Sequence, residues 1–449
     1  MVESHKCACA ICSLQLNFEV DVHLKSEIEK RNCVVFAGSG ISTETRHAHP
    51  DSLYETLKYH AKVDADLEFW ELVDEFEAQP NGRQKLIQLI KERFDYIGSF
   101  RELRSTATRF HRALGNAPYF EPIVTTNWDS YFEDVIGATP FVYDSDIPFW
   151  ETAKRPVLKI HGSIDNYSSL VASTEDYVNC ERRLREGALG AVLKQIFATK
   201  TCIFFGYSAK DKDFRRVFST IRDGLGAFAR THYLVSPFVT DKEARELLKE
   251  LGIIAVRTDG THFINVVKSH MQEKFCFSRE SAFHEIEAEL IEFRDMHSEF
   301  VESYSPSKSP HLIYATAYQD GVIHAFERIV DRALTGEFAD LHQVRARVTG
   351  YERKIKECQK AKNYWDLAYF KGYQNGLMHF LFFNEKTKEE VPGIPECFHP
   401  GQNELYIEEF DKLVRNNPEI HKAALAKAKK ATAGFGGDSE LVVQHLPWG

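Results

Sequence analysis

The segment Cys33-Val34-Val35-Phe36-Ala37-Gly38-Ser39-Gly40-Ile41-Ser42 decides the fold class of this chain. It consists of five apolar residues followed directly by a turn with two glycines. A short, wholly apolar run is typical of a parallel strand buried on both faces. Glycines at a strand-to-helix turn let the backbone approach a phosphate, and the opening N–H groups of the next helix favour an anion. A plain tight turn is the alternative, because the third glycine of the usual dinucleotide fingerprint is missing.

Similar apolar runs recur along the chain up to residue 256. The further strand candidates are residues 122–125, 157–160, 201–205, 232–235 and 253–256. The helix-like stretches between them include residues 129–136, 211–221 and 241–251. This alternation predicts an α/β domain with a Rossmann-like, doubly wound parallel sheet, whose ligands bind at the carboxyl ends of the strands.

Periodicity and composition divide the chain into four regions. We expect an N-terminal extension at 1–24, a catalytic domain at 25–280, a helix and Ser/Pro linker at 281–310, and a mainly α-helical domain at 311–449. Within the catalytic domain, a helical insertion at about 51–115 is placed to cover the site. In the last region, aromatic residues such as Tyr369 and Phe370 near helical spacing are more typical of a core than of a base-stacking platform.

The overall composition is that of a globular protein. The chain has 449 residues, 43% of them hydrophobic, and a net charge of −10, which argues against bulk binding of a nucleic-acid backbone. No apolar run approaches the roughly 20 residues that cross a bilayer, and the N-terminus lacks the pattern of a signal peptide. We therefore expect a cytoplasmic protein that binds neither a membrane nor, directly, nucleic acid.

The nine cysteines are scattered, which favours reduced thiols over a disulfide framework. His5, Cys7, Cys9 and Cys12 could supply soft ligands for zinc, but their spacing is irregular and no second Cys-x-x-Cys pair follows. A short surface segment is the simpler interpretation, and no metal site is predicted.

Polar residues follow three further strand candidates. They are Thr126-Asn127-Trp128-Asp129, His161-Gly162 and Gly206-Tyr207-Ser208. Taken singly, each is explained by a helix cap, a structural histidine or a turn. Taken together with the glycine turn at 38–42, they would converge on one edge of a parallel sheet, which predicts a shared site.

The order and wording of these four motifs resemble the sirtuin family over roughly residues 25–275. Gly-Ser-Gly-Ile-Ser at 38–42 is similar to the family's Gly-Ala-Gly-x-Ser, 126–129 to its Gln-Asn-x-Asp, and 161–162 to its His-Gly. The resemblance implies NAD as substrate, with Asn127, His161 and Asp129 as catalytic residues. It places the following residues around the dinucleotide: Ala37, Gly38, Ser39, Gly40, Ser42, Thr126, Gly206 and Ser208.

In this assignment His161 is the base and Asn127 helps to place the nucleophile. Asp129 orients the leaving carboxamide. Cleavage of the nicotinamide glycosidic bond builds up an oxocarbenium-like sugar, so such polar groups suit the chemistry. An imidazole with an ordinary pKa near roughly 6.5 can act as a base at neutral pH.

Two departures from the deacetylating sirtuins change the expected reaction. Cys180 and Cys202 are isolated, so the four-cysteine zinc module cannot form, and residues 170–177 and 206–214 instead resemble the sirtuin-like domains of bacterial antiphage defence proteins. We therefore predict an NAD glycohydrolase that releases nicotinamide and ADP-ribose. A protein deacylase and a non-catalytic NAD or ADP-ribose binding module remain the alternatives.

The resemblance also implies homo-oligomers and a protein partner such as a HerA-type ATPase or an Argonaute-like sensor, held by the C-terminal domain.

Overall fold

A computed structural model describes residues 11–209, 230–275, 277–303, 313–386, 388–399 and 407–419, with isolated positions at 215–216, 218–219, 421–422, 426 and 429–430. Its contacts divide the chain into two compact units, Met1–Met271 and Gln272–Gly449.

The first unit is built on a sheet of seven parallel strands. They are β1 (Cys33–Ala37), β2 (Ile123–Thr125), β3 (Thr139–Phe141), β4 (Pro156–Lys159), β5 (Thr201–Phe205), β6 (His232–Val235) and β7 (Ile253–Val256). Their order is β3-β4-β2-β1-β5-β6-β7, and every pair is parallel. The central strands β1 and β5 are buried along their whole length, as their apolar sequences predict. The predicted doubly wound α/β fold is confirmed.

Helices flank this sheet and fill the long connection between β1 and β2. The helices of the first unit are α1 (Val22–Glu29), α2 (Leu53–Ala61), α3 (Phe69–Glu77), α4 (Gly82–Ser99), α5 (Arg101–Ala107), α6 (Arg109–Gly115), α7 (Tyr131–Ile136), α8 (Thr174–Glu186), α9 (Ala188–Thr199) and α10 (Asp241–Leu251). Helix α11 (Gly260–Phe275) begins in the first unit and ends four residues past its boundary at Met271. Helices α2–α6 are the predicted insertion.

Capping boxes at Ser173 and Thr240 begin α8 and α10, because each side chain accepts a backbone N–H of the first turn.

One strand was not predicted. Strand β3 has only three residues, contains Pro140, and exposes two of its three positions, so it carries no apolar run. Proline is tolerated there because β3 is an edge strand of the sheet. The predicted helix at 211–221 and the predicted linker at 303–310 lie almost entirely outside the described residues.

The second unit is helical in its described parts. It contains α12 (Glu280–Ser303), α13 (Ile313–Asp331), α14 (Leu341–Lys360), α15 (Tyr364–Glu385) and α16 (Ile407–Asn416). Helix α13 is buried nearly all round, and its apolar residues join those of α12 and α15 in one hydrophobic core. The predicted helical C-terminal region is confirmed. Within the described helices of both units, none is long and apolar enough to span a bilayer.

His111 links the fold of the first unit to pH. It is fully buried on α6 against Phe132, and burial lowers the pKa of its imidazole to about 3. Because the unfolded chain takes up this proton near pH 6.5, the stability contributed by neutral His111 is complete above that pH. It is lost as the pH falls towards 3, at about 1.4 kcal/mol per pH unit.

We therefore expect that the free energy of unfolding of His111→Phe falls less steeply than that of the parent protein as the pH is lowered from 6.5 to 3. Urea denaturation of both proteins across this range measures the effect. An unchanged acid limb in the variant would show that other groups cause the acid sensitivity.

Candidate active site

The turns after β1 and β5 pack directly against each other at the carboxyl edge of the sheet. The N–H of Gly38 donates to the carbonyl of Phe205 at 2.8 Å, and that of Gly40 to the carbonyl of Gly206 at 3.1 Å. A Cβ on Gly40 would lie 2.8 Å from that same Gly206 oxygen, and Gly206 has a φ of +76°. The glycines are required for this close approach. Two of the N–H groups that the sequence predicts to bind a phosphate therefore donate to backbone carbonyls of the protein instead.

The end of β2 is tied to the same turn. The N–H of Thr126 donates to the carbonyl of Ala37 at 3.1 Å, and Asn127 Nδ2 donates to the carbonyl of Gly38 at 3.2 Å. The hydroxyl of Tyr207 also donates to the Ala37 carbonyl and lies 2.9 Å from Thr126 Oγ1. Three of the four predicted motifs are thus held together by hydrogen bonds at one point.

Asp129 is buried between Ser42 and the start of α7. Its Oδ2 accepts a hydrogen bond from the Ser42 hydroxyl, and its Oδ1 accepts the N–H of Tyr131 at 3.1 Å. Burial raises the pKa of Asp129, whereas the positive charge of Lys159 and the bond from Ser42 oppose that rise. The carboxylate therefore fixes the glycine turn to α7, and each oxygen retains a second lone pair for another donor.

Lys159, at the end of β4, supports this arrangement from beneath. Its ammonium group donates to the carbonyl of Asp129 at 2.6 Å and to Glu133 Oε1 at 2.9 Å. The side chain is buried, with only 1% of its surface exposed. A lysine is rarely buried without an anionic partner, so its pairing with Glu133 is a structural requirement of the site.

His161 follows β4 two residues after Lys159. Its carbonyl accepts the N–H of Val171 at 3.0 Å, which fixes the backbone, and its ring stands edge-on to Tyr177 with the centroids 5.2 Å apart. The imidazole is 3% exposed. The backbone bond and the ring contact hold it in one orientation at the carboxyl edge of the sheet.

A cavity of about 310 Å³, here called the catalytic cavity, opens at this point. The predicted site residues that line it are Ser39, Thr126, Asn127, Asp129 and His161. Two polar atoms of residues in its wall, Asn127 Oδ1 and Trp128 Nε1, are buried and have no hydrogen-bond partner among the described residues. Leaving such atoms unpaired costs about 1–3 kcal/mol each, so the wall is built to bind a polar ligand.

A second cavity of about 310 Å³, here called the distal cavity, lies on the other side of the glycine turn. Gly40, Gly206 and Ser208 line it, and Glu44 lines both cavities. At its wall the guanidinium of Arg46 stands over the ring of Phe238, 4.4 Å from the centroid. Ala37, Gly38 and Ser42 line neither cavity and take part in the site through the hydrogen bonds described above.

The model of the SIR2-like domain family matches residues 121–256, which include β2 to β7 and the motifs at Asn127, His161 and Gly206. The resemblance to sirtuins is confirmed over this range. The chain is also 27% identical over 240 residues to "NAD(+) hydrolase ThsA" of Cytobacillus dafuensis, covering 52% of this chain and 46% of that protein. The protein of the same name from Enterococcus faecium is 28% identical over 233 residues, covering 50% and 45%. The chain thus spans about half the length of the curated relatives it matches.

Several residues around the SIR2-like site were not predicted. The insertion contributes Tyr54, Phe69 and Phe94 to the catalytic cavity, and Trp128 closes it from the end of β2. Their positions depend on packing between the insertion and the sheet, which no local pattern encodes. The tryptophan inside the Thr-Asn-Trp-Asp motif was the one available signal, since an indole N–H at a strand end invites a partner.

The insertion is anchored to the glycine turn by Arg93 of α4. Its guanidinium pairs with Glu44 at 2.8 Å and donates to the carbonyl of Asp51 at 2.7 Å. Burial raises the pKa of Glu44, while the charge of Arg93 opposes the rise. The ion pair holds the loop between the two cavities.

Of the four residues weighed as zinc ligands, only Cys12 lies within the described residues. Among those residues no group of three or more His, Cys, Asp or Glu side chains could hold a metal ion.

Proposed function

We propose that this chain is an NAD glycohydrolase that cleaves NAD into nicotinamide and ADP-ribose. The observation that carries the proposal is the wall of the catalytic cavity, which His161 also lines. There Asn127 Oδ1 and Trp128 Nε1 are buried and find no hydrogen-bond partner within the part of the chain that the structure describes. An unpaired acceptor and an unpaired donor match a water molecule and a carboxamide oxygen. The name of the matched relatives, NAD(+) hydrolase, agrees with this chemistry.

NAD would span the two cavities across the glycine turn. The nicotinamide and its ribose occupy the catalytic cavity, and the adenosine half occupies the distal cavity with Gly206 and Ser208. Because the N–H groups of Gly38 and Gly40 are engaged, the diphosphate needs another positive partner. Arg46 lines the distal cavity and supplies it once its guanidinium turns away from Phe238.

The reaction consumes one water and breaks the bond between the ribose carbon and the nicotinamide nitrogen. The bonding pair leaves with nicotinamide, and the sugar passes through an oxocarbenium-like state. Asn127 Oδ1 accepts a hydrogen bond from the attacking water and His161 takes its proton, which gives ADP-ribose. Asp129 accepts the N–H of the departing carboxamide.

We propose that water, rather than an acylated lysine, accepts the ADP-ribosyl group, because side chains of the insertion line the cavity where nicotinamide would bind. Phe69, Phe94 and Tyr54 reach the cavity from helices α2–α4, and Arg93 fixes the loop that precedes those helices. A deacylase instead needs an open groove for an acylated lysine. Incubating the protein with NAD, with and without an acetylated peptide, separates the two. We expect NAD loss in both samples at the same rate, and loss confined to the peptide sample would establish deacylation.

Trp128 provides a sharper test of the nicotinamide position. Trp128→Phe keeps an aromatic ring against Phe69 but removes the indole donor, so a carboxamide oxygen loses its partner. We expect inhibition by added nicotinamide to weaken about tenfold, in line with about 1.5 kcal/mol for one buried hydrogen bond. Trp150→Phe is the matched control, because Trp150 packs on Phe141 of β3 and lines neither cavity. Equal inhibition of Trp128→Phe and the parent protein would place nicotinamide elsewhere.

We further propose that the hydrolase is a toxic effector of bacterial antiphage defence, acting in the cytoplasm as a homo-oligomer. The helical unit would restrain the catalytic domain or bind a sensor partner of the HerA-type ATPase or Argonaute-like kind. This rests on the resemblance of residues 170–177 and 206–214 to such effectors. Expression with any co-encoded partner during phage infection should deplete cellular NAD, and the His161→Gln variant should not. Undiminished NAD with the parent protein would contradict the defence role.

A further inference from the structure

The helical unit contains a cavity of its own, with a volume of about 340 Å³. It lies where the C-terminal half of α13 meets the middle of α14 and the first half of α15. We call it the helical cavity. All of its lining residues belong to the second unit, so it is separate from the SIR2-like site. Its size falls in the range of small-ligand sites, roughly 300–1,000 Å³.

Aromatic rings form the inner wall of the helical cavity. Tyr369 and Tyr373 of α15 are 2% and 9% exposed, and Tyr351 of α14 stacks on Tyr373 with the centroids 4.8 Å apart and the planes at 29°. Phe370 completes the group, 5.9 Å from Tyr351. Such faces stack on any planar aromatic ring, at about 1–3 kcal/mol per nucleobase.

Cations form the rim. Arg328 lies in the last turn of α13, Arg332 directly follows that helix, and Lys354 lies on α14. The ammonium of Lys354 stands over two of the rings, 5.1 Å from the centroid of Phe370 and 5.4 Å from that of Tyr351. A positive group beside an aromatic wall is the arrangement that binds a base and its phosphates together.

Some of the acidic residues in and around the rim already form ion pairs with arginines of the protein. Glu327 pairs with Arg294 of α12 at 2.5 Å. Outside the lining, Glu337 pairs with Arg328 at 2.8 Å. Asp331 is the remaining carboxylate of the lining, to which Arg332 and Lys354 also belong. A ribose hydroxyl is a suitable donor to such a carboxylate, as it is in dinucleotide sites.

We propose that the helical cavity binds a nucleoside diphosphate. Lys354 turns away from the rings of Tyr351 and Phe370 to bind the diphosphate together with Arg332, the base stacks on the ring faces that it uncovers, and the ribose donates to Asp331. The proposal does not depend on NAD hydrolysis at the SIR2-like site. It gives the aromatic residues of α15 a role beyond the core packing that their spacing predicted, because Phe370 is only partly buried.

Photolabelling of the full-length protein with 8-azido-ADP tests the site. We expect label on a peptide within residues 351–373, competed by ADP at least about tenfold better than by adenosine or pyrophosphate alone, since each half supplies part of the binding. Label confined to residues 11–275, or no saturable label, would overturn the proposal. The experiment identifies which peptide carries the label, so labelling of a second ADP site in the first unit is distinguished from labelling of the helical cavity.

Two variants locate the contacts. Lys354→Glu should reduce the label in the helical cavity about tenfold or more, because it places a negative charge beside the diphosphate. Phe370→Leu should reduce it by removing the stacking face, and Lys356→Glu, a charge reversal on the same helix outside the lining, should not. Equal label in Lys354→Glu and Lys356→Glu, at unchanged thermal midpoints, would contradict the placement. If Lys354→Glu lowers the midpoint, Phe370→Leu decides alone: retained label would contradict the proposal.

Discussion

Replacing His161 by glutamine is expected to reduce NAD cleavage by about 10²–10⁴-fold, the usual contribution of a general base. Glutamine fills much of the same space but cannot accept the proton of the attacking water at neutral pH. The backbone of residue 161 bonds to Val171 through its carbonyl, which the substitution leaves in place. NAD affinity and thermal stability should therefore change little, and the loss should lie in kcat.

The measurement is nicotinamide release at saturating NAD. His60→Gln, at an exposed position of α2 away from both cavities, is the matched control and should retain full activity. A His161→Gln protein that turns over NAD at the parent rate would assign the proton transfer to another group.

Replacing Lys159 by methionine is expected to destabilise the first unit by about 3–5 kcal/mol, because it leaves the buried Glu133 without its partner. The charge of Lys159 currently opposes the rise that burial imposes on the pKa of Glu133. The carbonyl of Asp129 loses its donor as well, so the residues after β2 should loosen.

Hydrogen exchange of peptides covering β2 and β4 in increasing urea measures the change. The double variant Lys159→Met/Glu133→Leu should recover at least half of the loss, because it leaves no buried unpaired charge. Lys58→Met is the control, since Lys58 pairs with Asp66 at a similar 2.8 Å but on the surface. Equal effects of Lys159→Met and Lys58→Met would show that burial does not govern the pair.

The sequence predicts the frame of the first unit because the signals are local. Each strand except β3 is a short, mostly apolar run, and a parallel strand covered on both faces requires that composition. Strand β3 was missed because it has only three residues and exposes Thr139 and Pro140, so it forms no apolar run. The other edge strand, β7, was predicted because its sequence Ile-Ile-Ala-Val is such a run.

The gathering of polar residues at the strand ends was predictable, and the contacts beyond the strand ends were not. Parallel topology alone brings the residues after β1, β2 and β4 to one edge, so the sequence suffices to place Ser39, Asn127 and His161 there. The engagement of the Gly40 N–H by Gly206 depends on the precise packing of two turns, which no spacing encodes. The contributions of Phe94 and Arg93 depend on how the insertion folds back, over sequence separations that periodicity does not reach.

Whether the protein hydrolyses NAD is decided by the balance of products that purified protein forms from NAD alone. The full-length chain, with any co-encoded partner and its trigger, is incubated with NAD in the absence of an acylated peptide, and the products are separated by chromatography. We predict equal amounts of nicotinamide and ADP-ribose from the parent protein and neither from His161→Gln. NAD that stays intact with the activated parent protein, or that is bound and recovered unchanged, would rule out NAD hydrolysis by this chain.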